Sequence, residues 1–184
     1  MDVTVTLTGD LTAAQRQMDA GYIGGAPGVL TSGLAWLVAG FAWLRYGIDI
    51  GFATLFVGGM LIVPGALLIA KLAGAPPVAP ANPLNRLAIE STVVLFAALL
   101  IGYLLLRAEP ALTFPALAIV IGARYFSFRT LYGSALFWAL GAAMGGAGTL
   151  AALDWLPPLI NLALLVGTIE SVFAAMIWFG RRSA

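Results

Sequence analysis

The chain has no cysteine and no histidine, and only 9% of its 184 residues are charged. Without cysteine there are no disulfides, no thiolate nucleophile, no iron–sulfur cluster and no thiolate zinc site. Without histidine, haem ligation by imidazole, HExxH zinc hydrolysis and Ser-His catalysis are excluded. No remaining side chain titrates near neutrality at its ordinary value. The shortage of charge excludes still more, because a soluble domain carries about a quarter charged residues to wet its surface. Here 61% of residues are hydrophobic, so the chain cannot cover a globule of its own size with polar side chains. It reads as a membrane protein, and free-standing soluble classes fall away. A formal net charge of +1 gives no basic field for nucleic acid.

Six apolar runs are present, each near the roughly 20 residues that cross about 30 Å of hydrocarbon. They cover about Pro27–Leu44, Ile50–Ala70, Leu87–Leu106, Ala111–Phe128, Leu131–Leu153 and Pro157–Gly180. The runs are continuously apolar and do not alternate, which excludes β-barrel strands. Before them, residues 1–9 read as a loose tail. Asp10 is placed to cap a helix whose Leu11, Ala14, Met18 and Tyr22 share one face. That helix is expected to lie on the membrane surface with Arg16 and Asp19 toward water; the same pattern also suits a cytosolic extension of the first span. Residues 1–26 are thus an N-terminal tail and amphipathic helix, and 27–184 a six-helix transmembrane domain. Between the second and third runs, residues 73–85 carry Pro76, Pro77, Pro80 and Pro83. They read as a stiff, extended connector.

Orientation follows from the basic residues. With the N-terminus inside, the cytoplasmic side holds Arg16, Lys71, Arg86, Arg124, Arg129, Arg181 and Arg182, and the other side only Arg45 and Arg107. Seven against two is a positive-inside bias carried by short loops. The expected fold is all-α: a polytopic bundle of six transmembrane helices, N-in and C-in, with a short N-terminal amphipathic helix.

The middle of the chain, about residues 65–145, resembles a domain-of-unknown-function family of small six-helix bacterial integral membrane proteins. The resemblance is carried by Asn82, Pro83 and Leu84, then Arg86 and Leu87 opening the third span. A proline-containing outer loop, Gly122 and Ala123 late in the fourth span, and Leu131–Tyr132 opening the fifth complete it. It implies topology and a bacterial inner (plasma) membrane. It implies no activity, and at Arg124 this chain departs from the polar residue its relatives often carry.

Charges inside hydrocarbon are the best pointers to chemistry, since each costs at least about 2.5 kcal/mol unless paired or wetted. Glu170 lies ten residues before Gly180, about 15 Å from the cytoplasmic end of its span. Arg124 lies about 7 Å from the same end of the fourth span. Glu90 is four residues after Arg86, where the start of a helix favours a carboxylate and an i,i+4 pair. The expectation is that Glu170 faces the interior and engages Arg124 directly or through water. Ile89-Glu90-Ser91 recurs as Ile169-Glu170-Ser171, an echo compatible with an inverted three-plus-three repeat. Gly141 and Gly145 form a GxxxG suited to close helix packing, within the bundle or between copies. Pro64 and Pro115 are positions where a span could kink. The tryptophans near span ends suit interfacial anchoring.

Enzyme readings fare poorly: serine has no histidine base, the single lysine ends a span, and acidic residues do not cluster. No cofactor or metal is implied. Two function classes remain. The favoured one is a non-catalytic accessory or scaffold bundle, with the lipid bilayer and a second copy or another membrane protein as partners. The alternative is a small transporter or channel using Glu170 as a buried proton or cation site.

Overall fold

The computed structural model describes residues 3–181, so Met1, Asp2 and Arg182 of the expectations above lie outside the described residues. The described residues form seven α-helices: α1 (Val3–Gly21), α2 (Ala26–Tyr46), α3 (Ile48–Leu72), α4 (Leu84–Ala108), α5 (Thr113–Tyr132), α6 (Leu136–Ala152) and α7 (Leu162–Gly180). The protein is all-α. Among the described residues, five helical segments are long and apolar enough to cross a membrane: those containing α2, α3, α4, α5 and α7.

The sixth apolar run gives a shorter helix than expected. α6 has 17 residues, about 26 Å at 1.5 Å per residue. Leu131 and Tyr132 close α5 and do not open α6. The reason is Gly133, whose φ of 72° is left-handed and whose N–H bonds the Arg129 carbonyl at 2.8 Å. Glycine adopts that terminating conformation without a Cβ penalty. The last helix also starts later than Pro157. Asn161 caps it, its side chain accepting from the Leu164 N–H at 3.1 Å, which satisfies one of the orphan donors of the first turn.

At the N-terminus the backbone of residues 3–9 is already helical, so Asp10 lies within α1 and not at its start. The apolar stripe of α1 is also used differently from the expectation. Ala14 and Met18 are buried against Leu84 and Leu131, so α1 docks across one end of the bundle while Leu11 stays exposed. Gln15 donates to the Thr130 carbonyl at 2.8 Å, and Asn82 donates to the Ala14 carbonyl at 3.1 Å. Asp19, expected in water, pairs with Arg181 at 2.7 Å. These ties gather α1, the proline-rich connector, the α5–α6 turn and the end of α7 at one end of the molecule. Successive helices alternate in direction from there.

The helices pack in the order α3, α2, α7, α6, α5, α4, and α3 and α4 scarcely meet. The result is an incomplete ring. Glycines set its closest contacts. A Cβ on Gly122 would lie 2.9 Å from the Gly141 carbonyl oxygen and 2.7 Å from the Gly145 nitrogen. The GxxxG of α6 is therefore used on α5 of the same chain. Pro115 sits in the first turn of α5, where proline fits without breaking the helix, and α3 continues through Pro64. Away from α1 the interior is filled by aromatics. Phe114 stacks on Trp43 with centroids 4.6 Å apart and meets Trp36 edge-on at 5.9 Å. Trp36 is thus a core residue and no interfacial anchor.

Candidate functional site

Glu170 is placed by the tight seam between α2 and α7. Along α7, Ala163, Val166, Gly167, Glu170, Ala174 and Ile177 are all buried, a stripe at i, i+3, i+4 and i+7 spacing. A Cβ on Gly167 would lie 2.8 Å from the Gly33 carbonyl oxygen, and one on Gly33 would lie 3.1 Å from the Glu170 Cβ. Two glycines therefore let the backbones approach and bring Ser32 against Glu170.

Glu170 has no exposed surface. Its Oε1 accepts hydrogen bonds from Ser32 Oγ at 3.0 Å and from the Tyr125 hydroxyl at 2.6 Å. Its Oε2 has no hydrogen-bond partner among the described residues. Tyr125 is held by rings on both sides, edge-on to Phe128 at 5.2 Å and stacked on Phe137 at 6.2 Å. A buried tyrosine hydroxyl needs a polar partner, and here the carboxyl is that partner.

The direct form of the expected Arg124–Glu170 contact is not made. Arg124 Nε donates to the carbonyl and to the hydroxyl of Ser91, at 2.8 and 2.7 Å. Its guanidinium lies 4.8 Å from the centroid of the Phe128 ring. The cause is helix geometry. Arg124 and Tyr125 are consecutive, so they project about 100° apart, and Tyr125 takes the direction that leads to Glu170. Among the described residues the only ion pair is Asp19–Arg181. Glu90 and Arg86 are both exposed and form no pair. The structure thus brings Glu170 and Arg124 into one region and leaves Glu90 outside it. Sequence reasoning missed Ser32, Tyr125 and Ser91 as partners. Tyr125 carried no usable signal: it lies three residues before the end of its apolar run, next to Arg124, where membrane tyrosines ordinarily concentrate.

A cavity of about 530 Å³ lies at the α1 end, between α2, α3, α4 and α5. Ser32 and Tyr125, the two donors to Glu170, both line it, as does Arg124. The remaining wall is mainly apolar, with Ile62, Val63, Leu67, Ile89 and Phe128 prominent. No acidic residue lines it, and no three acidic, histidine or cysteine side chains converge anywhere among the described residues.

A family of unknown function (DUF7010) matches over residues 11–180.

The chain belongs to the DUF7010 family. The match extends well beyond residues 65–145 and takes in α1 from Leu11 onward, so the docked helix and the bundle fall within one family unit. No curated protein and no solved structure matches the chain. Chemically, this DUF7010 site offers a buried carboxyl behind a wall of two hydroxyls and a fixed guanidinium in an apolar chamber. Such a carboxyl escapes the cost of an isolated buried charge by holding a proton or a cation.

Proposed function

We propose that this protein is a non-catalytic membrane carrier that takes a small solute into the α1-end cavity and uses Glu170 as its proton or cation site. The observation that carries this reading is the shared wall: Ser32 and Tyr125 line the cavity and both donate to Glu170. A solute that displaced either hydroxyl would change the solvation of the carboxyl, which is the coupling a proton-driven carrier requires. The cavity volume of about 530 Å³ lies within the range of roughly 300–1,000 Å³ usual for small-molecule sites.

The proposal includes six spans, with α6 as the short one, in a bacterial inner membrane. Residues 27–184 form the transmembrane domain, and both termini are cytoplasmic. Supporting this are the basic residues at the α1 end, against Arg45 and Arg107 at the other. The chain has no native cysteine, so single-cysteine variants test the orientation cleanly. An impermeant thiol reagent added outside should label a cysteine at Asp49 and spare one at Ala73; the opposite pattern refutes it. Proton flux into proteoliposomes tests the carrier. Glu170→Gln should abolish solute-dependent flux, and unchanged flux would remove Glu170 from the mechanism.

One observation favours the scaffold reading instead. α3 leaves Val57, Leu61 and Leu68 exposed, a face that a second copy or another membrane protein could cover. A monomer in mild detergent with full flux would set that reading aside.

A further inference from the structure

The cavity contains a cation without a counter-ion. Arg124 is fixed through its Nε by Ser91 and through its face by Phe128, yet its two terminal nitrogens make no hydrogen bond among the described residues. Tyr22 and Tyr132 line the same chamber, and their hydroxyls bond to nothing among the described residues. No carboxylate lines the wall to balance the guanidinium. A preorganised arginine fork in low-dielectric surroundings is suited to bidentate recognition of a phosphate.

The rest of the chamber indicates what carries that anion. Ile89 and Leu67 belong to the cavity wall, and they are 66% and 49% exposed. They stand on α4 and α3, the two neighbours in the ring that scarcely meet. The chamber therefore opens sideways, toward the hydrocarbon around a membrane-spanning bundle. The wall also reaches Pro80 and Asn85 at the connector, so a free anion and a lipid headgroup could both reach Arg124, but only a lipid has chains to fill the apolar gap between α3 and α4.

We propose that the cavity binds the phosphate headgroup of an anionic membrane phospholipid, held by Arg124, with the acyl chains leaving between α3 and α4. This rests on reading the cavity as the binding chamber and names the ligand class for it.

The test uses the full chain in neutral detergent, with thermal unfolding followed by tryptophan fluorescence. Phosphatidylglycerol, phosphatidylcholine and inorganic phosphate are added separately. Phosphatidylglycerol at about a hundredfold excess over its Kd should raise Tm by about 5 °C or more, and the other two should not. Arg124→Gln should abolish the rise, while Arg45→Gln, at the far end, should keep it. Equal shifts from both lipids, or a full shift in Arg124→Gln, overturn the site. A full shift from inorganic phosphate alone overturns the lipid as its source. Should Arg124→Gln fail to fold, Ala66→Phe narrows the chamber without touching the arginine. It should lose the lipid shift, and retention overturns the proposal. A lipid shift without proton flux leaves the lipid site standing and removes the carrier; flux without a lipid shift does the reverse.

Discussion

The tripeptide Ile-Glu-Ser occurs twice, at 89–91 in α4 and at 169–171 in α7, and its two copies have opposite fates. Glu170 is fully buried and accepts two hydrogen bonds, whereas Glu90 is exposed and has no ion-pair partner among the described residues. The serines diverge as well. Ser91 is buried and holds Arg124, while Ser171 turns back to the Gly167 carbonyl at 2.7 Å. The difference lies three residues upstream of each glutamate, where α7 has Gly167 and α4 has Leu87. Gly167 lets α2 approach to backbone contact at that level of the helix. Leucine cannot permit such an approach. The copies teach that a polar residue in a span is turned inward by an adjacent helix that small residues on the same face allow to approach, not by its own tripeptide.

Breaking the seam should have the largest effect. Gly167→Val puts branched carbons where a Cβ already falls 2.8 Å from the Gly33 carbonyl oxygen. Overpacking of this kind costs about 3 kcal/mol, and thermal unfolding in detergent should show a large fall in Tm. Leu87→Gly in α4, by contrast, should not bury Glu90, because no helix stands ready to approach.

Next comes Glu170→Leu. It strands the Ser32 and Tyr125 hydroxyls, each an unsatisfied group worth about 1–3 kcal/mol, partly offset by removal of the orphan Oε2. A net loss of about 2 kcal/mol is expected in the same assay, and Glu170→Gln, which keeps an acceptor oxygen, should lose less.

Ser91→Ala removes one of the two acceptors of Arg124 Nε and leaves the backbone carbonyl, and should cost about 1 kcal/mol. A double-mutant cycle tests Arg124 more sharply. Arg124 and Glu170 share no hydrogen bond or ion pair, so Arg124→Gln and Glu170→Gln should add to within about 0.5 kcal/mol. A larger coupling would restore the pairing expected from their depths alone. Smallest of all, Glu90→Leu should leave Tm unchanged within measurement, since exposed positions without partners are close to neutral.

Composition and run length by themselves determined that this is a helical membrane protein, because an apolar chain has nowhere else to satisfy its backbone. They located the helices to within a few residues, and errors concentrated at ends decided by a single terminator or cap, Gly133 and Asn161. Depth along a span is also a one-dimensional property, so Glu170 was identifiable from the sequence as a buried candidate. Its partners were not. Rotation about the helix axis separates Arg124 from Tyr125, and only the packed bundle shows which of the two meets α7. The docking of α1 on Leu84 and Leu131, and the gap between α3 and α4 that forms the chamber, are likewise relations between segments distant in sequence. Hydrophobic burial is non-directional, so the apolar pattern of a helix specifies that a face must be covered. What covers it is decided by shape, through the glycines that permit one approach and the side chains that forbid another.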